Sequence, residues 1–157
     1  MLKVYNYDIV FQEFPDEITL ALNISNCPHH CKGCHSAYLW KDEGVELTSD
    51  YLQQLIEQNP GITCVGIMGG DYDVSAVNSI ARRVRNEYGL KVGWYSGNMY
   101  FDSAQVDFFD YIKIGPYVEE RGGLNNPTTN QLLFKIESTF VKTIRNITDR
   151  LQHTSVK

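Results

Sequence analysis

The chain is poor in several features that would each assign it to a broad class of proteins. In its 157 residues no apolar run is long enough to cross a bilayer, and the first residues, Met1 to Val4, do not open a secretory signal. Basic residues are too few for a nucleic-acid surface, because 14 Lys and Arg against 19 Asp and Glu give a formal charge of −5. We therefore expect a cytoplasmic protein that binds neither membranes nor nucleic acid.

The chain also lacks the motifs of common catalytic classes. It contains no Walker P-loop, and no Ser-His-Asp or paired-carboxylate arrangement that would suggest a hydrolase. It has no internal repeat and no interdomain linker. With 43% hydrophobic residues the chain can bury one ordinary core, so we predict a single domain over residues 1–157.

Cysteine is scarce too, yet three of the four cysteines lie close together. Cys27, Cys31 and Cys34 have the spacing C-x3-C-x2-C, which suits metal ligation in a reducing compartment better than a disulfide framework. Iron–sulfur cubanes are normally held by four thiolates. A loop with three thiolates therefore leaves one iron for a ligand that the protein does not supply. Cys64 lies in an apolar segment, and we expect it to be a core residue.

Two other interpretations of the three cysteines stay open. In a structural zinc site, one of His29, His30 or His35 would be the fourth ligand, because three cysteines and one histidine form a familiar closed site. The loop would then belong to a small module that binds protein or RNA. In a ferredoxin-like electron carrier, Cys64 would be the fourth and distant thiolate ligand.

Apolar segments alternate with amphipathic ones along most of the chain. Buried strands are predicted at residues 17–24, 62–68, 90–95, 110–114 and 132–136. Helices are predicted from Thr48 to about residue 59, over 74–88, over 103–109, and near the end of the chain, where Phe140, Ile144, Ile147 and Leu151 form an apolar stripe. This alternation predicts βαβ units and a parallel sheet. A complete eight-unit barrel takes about 250 residues, so we predict an α/β fold with an incomplete parallel β/α barrel.

The motifs together resemble a known family of enzymes. They are residues 27–35, Gly69-Gly70-Asp71, Tyr95-Ser96-Gly97, Ile114-Gly115-Pro116-Tyr117, Gly122-Gly123-Leu124 and Asn130-Gln131. The cysteine spacing is similar to that of the radical S-adenosylmethionine superfamily. The whole set, which runs in order through most of the chain, resembles the anaerobic ribonucleoside-triphosphate reductase activating proteins, a family of glycyl-radical enzyme activases. The cysteine spacing is specific to the superfamily, whereas the later turns only favour this family within it.

The resemblance implies a cofactor, a reaction and partners. Cys27, Cys31 and Cys34 would hold a [4Fe–4S] cluster whose fourth iron is chelated by S-adenosylmethionine. One electron would cleave that molecule to methionine and a 5′-deoxyadenosyl radical, which takes hydrogen from a glycine of the anaerobic reductase. The partners would be this glycyl-radical subunit and a low-potential electron donor such as flavodoxin. No catalytic residue is expected beyond the cluster ligands. Activation of a formate-lyase type enzyme is a related alternative.

The resemblance also implies which residues contact S-adenosylmethionine. The set is Gly33, Cys34, His35, Gly69, Gly70, Asp71, Tyr95 and Ser96. The backbone of the glycine pair and the carboxylate of Asp71 would receive the methionine ammonium. Tyr95 and Ser96 would line the ribose or the methionine, and the stretch around Cys34 would lie beside the adenine. Since many superfamily members carry an aromatic residue where Gly33 stands, adenine stacking from that position is absent here, and His35 is either its replacement or a solvent-facing residue.

A long segment without apolar periodicity interrupts the pattern at residues 115–130. It is rich in Gly, Pro and Asn, and loops of this length are uncommon unless they are functional or disordered. A short barrel should be open on one side, where a loop of a large protein substrate can enter. We therefore predict that this segment is a docking surface for the partner.

Overall fold

The computed structural model describes residues 1–34, 36–102, 105–138 and 142–154. The strands in these residues are β1 (Lys3–Val10), β2 (Thr19–Ile24), β3 (Val45–Glu46), β4 (Cys64–Met68), β5 (Lys91–Tyr95), β6 (Tyr111–Ile114), β7 (Leu132–Ser138) and β8 (Lys142–Asn146). The α-helices are α1 (Ser49–Gln58), α2 (Val74–Tyr88) and α3 (Thr148–Thr154), and short 3-10 helices span Ala37–Trp40 and Gln105–Phe108. None of the described helices is long and apolar enough to span a bilayer.

The strands form one mixed sheet in the order β3-β1-β2-β4-β5-β6-β7-β8. Its four central strands, β2, β4, β5 and β6, are parallel. The outer strands pair antiparallel on both sides. The described chain thus has more strand than helix, and the predicted incomplete parallel β/α barrel is wrong.

The antiparallel pairs arise where the chain has no crossover helix. A parallel connection needs a dozen or more residues, usually with a helix, and the short connection at residues 11–18 returns β1 directly to β2. After β6, residues 115–131 contain no helix, and β7 returns antiparallel. The predicted C-terminal helix is likewise too long. Ile144 lies in β8, where it pairs with Ile136 of β7 and is 43% exposed. Phe140 lies outside the described residues.

Most other predicted elements are confirmed. Strands β2, β4, β5 and β6 lie within the predicted apolar segments, β7 extends its predicted segment by two residues, and α1 and α2 begin at capping residues. Thr48 Oγ1 accepts from the backbone N–H of Tyr51 at 3.1 Å, and Asp73 Oδ1 accepts from that of Ala76 at 3.2 Å. Of the predicted helix at 103–109, residues 105–108 form a 3-10 helix, and 103–104 lie outside the described residues.

The two faces of the sheet are covered differently. On one face, α1 and α2 pack their buried leucines and valines against the sheet, in a core that includes Ile67, Trp94 and Ile112. A second core on the other face contains Phe14, Tyr111, Leu124, Leu133 and Leu151. This second face is covered by α3 and by the loop at 115–131 instead of long helices.

Candidate metal centre

A cavity of about 500 Å³ opens at the carboxyl ends of the four parallel strands. Its floor is a single row of side chains in register across the sheet: Asn23, Met68, Tyr95 and Lys113. The preceding residues of β4, β5 and β6 point into the core under α1 and α2. The cavity therefore lies on the opposite face, at the edge where α/β sheets collect their sites.

The cysteine loop, residues 27–34, forms one wall of this cavity. Cys27, Cys31 and Cys34 all line it, are partly exposed, and form no disulfide. The loop starts from a fixed point, because the Cys27 N–H donates to the carbonyl of Leu39 at 2.9 Å. It closes in a turn in which the Cys34 N–H donates to the carbonyl of Cys31 at 3.1 Å. Burial raises the pKa of the Cys27 thiol, so a metal that binds there must displace its proton.

Cys64 lies at the other end of the same sheet. It begins β4, opposite Thr19 at the start of β2, whereas the cysteine loop follows the end of β2. The length of β4 alone separates the two ends by about 13 Å. Cys64 is fully buried, and burial raises the pKa of its thiol to about 12. Its prediction as a core residue is confirmed, and the four-thiolate alternative loses its distant ligand.

The two described histidines of the loop are already engaged. His29 Nε2 lies 2.8 Å from Asp71 Oδ2, and the His30 ring stacks on Trp40 with centroids 4.7 Å apart. Within the described residues, no three Cys, His, Asp or Glu side chains converge on one metal-ion position. In a cubane each thiolate binds a different iron, so its ligands need no such convergence. The zinc alternative thus finds no support from His29 or His30, and His35 lies outside the described residues.

Asp71 is saturated with donors from the protein. Its side chain is 5% exposed, and besides His29 it accepts from Ser96 Oγ at 2.6 Å, the Gly97 N–H at 2.8 Å and Asn98 Nδ2 at 3.4 Å. Both carboxylate oxygens of Asp71 are therefore occupied in this arrangement, and neither is free to receive the ligand's ammonium as predicted. The carboxylate instead joins the cysteine loop to the chain that follows β5.

The two glycines of the pair have different positions. Gly69 lines the cavity, but its N–H donates to the carbonyl of Tyr95 at 3.0 Å and its carbonyl accepts from Trp94 Nε1 at 2.8 Å. Gly70 faces the core, where an added Cβ would lie 2.6 Å from Val77 Cγ2. A side chain at Gly70 would thus disturb the core under α2 before it reached a ligand.

Some of the remaining predicted contact residues line the cavity and others do not. The structure brings Cys34, Tyr95 and Ser96 to the cavity together with Gly69 and Asp71. The Tyr95 hydroxyl is used within the protein, since it donates to the carbonyl of Glu13 at 2.7 Å, and burial raises its pKa. Gly33 is in an exposed turn with φ +75°, where an added Cβ would lie 2.8 Å from Glu119 Cδ. Glu119 thus occupies the space beside Gly33, and His35 lies outside the described residues.

Sequence reasoning missed a charged residue in the cavity floor. Lys113 is 8% exposed, and its ammonium donates to the carbonyls of Ser96 at 3.1 Å and Gly115 at 2.8 Å. Burial lowers the pKa of Lys113 to about 8, against the opposing effect of Asp71 and the three loop cysteines. In the sequence, Lys113 is noticeable only as a lysine within the apolar strand Tyr111–Ile114. The strand register is needed to place its side chain on the cavity face.

The loop at 115–131 forms another wall of the cavity. Tyr117, Gly123, Leu124, Asn125 and Gln131 line the cavity, and Leu124 is also part of the second core. The loop is braced internally, because Arg121 Nε donates to the carbonyl of Thr128 at 3.0 Å and Thr128 Oγ1 donates to that of Arg121 at 2.7 Å. This segment therefore builds the site as well as offering an outer surface.

The chain matches a known protein family. The family's model, described as a 4Fe-4S single cluster domain, matches residues 18–128, which are more than half of the chain and include the three cavity cysteines. No curated protein and no solved structure matches the chain. The three thiols lie in a loop at the carboxyl ends of parallel strands. The chain therefore belongs to the 4Fe-4S single cluster domain family, and the protein is an iron–sulfur protein.

Proposed function

We propose that the protein is an activating enzyme that reductively cleaves S-adenosylmethionine and generates a glycyl radical on anaerobic ribonucleoside-triphosphate reductase. One observation carries this proposal: the three loop cysteines share a cavity of about 500 Å³ with the buried ammonium of Lys113. Cavities of this size hold small organic ligands. An electron carrier has no need of a ligand cavity beside its cluster.

The donor set fits a [4Fe–4S] cluster with one open iron. Cys27, Cys31 and Cys34 supply three thiolates, and Cys64 is at the far end of the sheet. A cubane normally has four ligands, so the fourth iron is left for a molecule in the cavity. A cluster held by these cysteines would supply one electron at low potential to the sulfonium of S-adenosylmethionine in the cavity.

The chain's own residues would bind and orient the ligand. Lys113 presents an ammonium with one N–H left after its two bonds to carbonyls, and it would attract the carboxylate of S-adenosylmethionine. The side chains of Met68 in the floor and Leu124 in the loop wall would offer apolar contact to the nucleoside. Leu124 also helps to exclude water, since it joins the cavity to the second core.

The reaction balances with two partners. A low-potential donor such as flavodoxin supplies one electron, and the C5′–S bond of S-adenosylmethionine breaks to give methionine and a 5′-deoxyadenosyl radical. That radical takes a hydrogen atom from a glycine of the reductase and becomes 5′-deoxyadenosine. The unpaired electron stays on the partner's glycine.

Anaerobic reconstitution tests the proposal. We expect about four irons per chain, release of methionine and 5′-deoxyadenosine after reduction, and a glycyl-radical EPR signal on the anaerobic reductase subunit. A formate-lyase type subunit offered in parallel should gain no signal. One zinc per chain, or a cluster that leaves S-adenosylmethionine intact, would contradict the proposal. A signal on the formate-lyase subunit alone would reassign the partner.

The outer surface of the loop at 115–131 is expected to contact the partner. Glu120 is exposed and does not line the cavity, so reversing its charge should leave the cavity intact. Glu120→Arg should reduce glycyl-radical formation several-fold and leave partner-free cleavage of S-adenosylmethionine unchanged. Deletion of residues 122–129 is a poorer test, because Leu124 and Asn125 line the cavity.

The matched control for this experiment is Glu57→Arg. Glu57 is an exposed residue of α1, on the opposite face of the sheet from the cavity. We expect it to activate the partner as the wild type does. Equal activation by the two variants would remove Glu120 from the docking surface.

A further inference from the structure

His29 is a tie between the cysteine loop and the rest of the site. It lies between two cluster cysteines in the sequence, and its Nε2 is 2.8 Å from Asp71 Oδ2. The carboxylate that it meets is fixed, because Ser96 Oγ and the Gly97 N–H donate to it at 2.6 and 2.8 Å. The loop after β2 is thereby attached to the ends of β4 and β5 at once.

The backbone at Gly97 leaves the space that the His29 ring occupies in this contact. An added Cβ at Gly97 would lie 2.6 Å from His29 Cδ2 and 2.9 Å from its Nε2. The imidazole therefore lies directly on Gly97, and only glycine leaves room for it there. The ring is 24% exposed and the carboxylate is 5% exposed, so the pair is shielded from much of the competing solvent.

We propose that His29 is a positioning residue for the iron–sulfur cluster, which through Asp71 holds the Cys27–Cys31 span against the strand ends and thereby sets the cluster's reduction potential. The proposal rests on the assignment of the cluster to Cys27, Cys31 and Cys34, which is part of the proposed function. Groups that orient metal ligands are commonly worth about 10–100-fold in metal affinity, and the His29–Asp71 contact would act on Cys27 and Cys31 through the loop backbone.

The direction of the effect follows from solvent exposure. If the tie is cut, the span between the two cysteines is free to move away from the strand ends and admit water to the cluster. Hydrogen bonding to the sulfurs and solvent exposure both set cluster potentials. Water stabilises the more negative, reduced form, so the potential becomes less negative. Electron transfer to a sulfonium in the cavity then becomes less favourable.

Four variants test this inference. His29→Ala removes the tie, and Gly97→Ala displaces the ring while every polar side chain is kept. His29→Gln retains an amide N–H that can donate to Asp71. Lys32→Arg is the matched control, since Lys32 is an exposed residue of the same loop and the change keeps its charge. The readouts are the midpoint potential from a redox titration of the reconstituted protein and the rate of iron release to a chelator.

We expect His29→Ala and Gly97→Ala to shift the potential to less negative values and to release iron about tenfold faster or more. His29→Gln and Lys32→Arg should behave like the wild type. A merely structural role of His29 would lower the thermal stability of the apoprotein without moving the potential. Rescue of the potential by His29→Gln distinguishes the two.

The contrary outcomes are distinct. An unchanged potential and iron-release rate in both His29→Ala and Gly97→Ala would overturn the inference and leave the proposed function intact. Should His29→Ala assemble no cluster, Gly97→Ala decides, and a wild-type potential in that variant overturns the inference. A wild-type protein that assembles no cluster would overturn the cluster assignment itself, and with it both proposals.

Discussion

Replacing any one of Cys27, Cys31 or Cys34 by alanine is expected to abolish cluster assembly. The three thiols line one cavity, and among the described residues the fourth cysteine is held at the opposite end of the sheet. With two thiolates left, the cubane loses a ligand, and no further thiol lines the cavity among the described residues. Iron per chain after anaerobic reconstitution should fall from about four to a small residual amount, and cleavage of S-adenosylmethionine should disappear with it.

Cys64→Ala is the matched control, with the same substitution in the same chain. Cys64 is fully buried, so the variant should lose some stability through its small cavity and retain the cluster. Cluster loss in Cys64→Ala, with cluster retention in one of the three loop variants, would contradict the open-iron arrangement and restore the electron-carrier alternative.

The central strands were predictable because their sequence has one interpretation. The segments that contain β2 and β4 are near-continuous apolar runs, as expected for strands buried on both faces. β1 was missed because its sequence KVYNYDIV alternates weakly and four of its residues are exposed. The pairing with neighbouring strands that stabilises β1 is visible only in the folded sheet.

The fold class was wrong for a related reason. The segment at 115–130 was predicted as an interruption of a parallel barrel, whereas the chain forms a braced loop there and returns antiparallel as β7. An apolar stripe at a spacing of three to four residues predicted a helix through Ile144, yet cross-strand pairing with Ile136 determines its conformation. Tertiary pairing thus overrode a local periodicity of few residues.

For the site, the sequence pattern and the family resemblance predicted several of the residues that meet at the cavity, but Gly70 faces the core, and neither predicted what each residue does. The cysteines, Asp71 and Ser96 were expected at one edge, and all of them line the cavity. Spacing carries no information about hydrogen-bond partners, so the saturation of Asp71 by four donors could not be anticipated. Lys113 was missed because its orientation depends on the register with Tyr95.

Lys113→Met is expected to weaken binding of S-adenosylmethionine while the cluster content stays near normal. Methionine fills a similar volume and removes the only lysine ammonium that lines the cavity in the described part of the chain. A charge-assisted hydrogen bond contributes about 1.5–3 kcal/mol, so affinity should fall by roughly 10–150-fold. The measurement is the ligand-induced change in the EPR spectrum of the reduced cluster, titrated with S-adenosylmethionine.

The matched control is Lys91→Met. Lys91 lies at the other end of β5, where its ammonium is 2.9 Å from Glu17 Oε2. This variant should lose stability through the broken ion pair and bind the ligand as the wild type does. Equal affinity of Lys113→Met and the wild type would show that the ammonium does not contact the ligand.

The pH dependence gives this prediction a second, independent measurement. Because burial lowers the pKa of Lys113 to about 8, the free protein loses the ammonium as the pH rises through that value. Wild-type affinity should therefore decrease above pH 8. The ligand's own α-amino group titrates near pH 7.7–8.0, an approximate value for such groups, and it affects wild type and variant alike. The ratio of the two affinities removes that contribution, and we expect the ratio to approach one as the pH rises from 7 to 10. A ratio that stays constant over this range would mean that the charge on Lys113 has no part in binding the ligand.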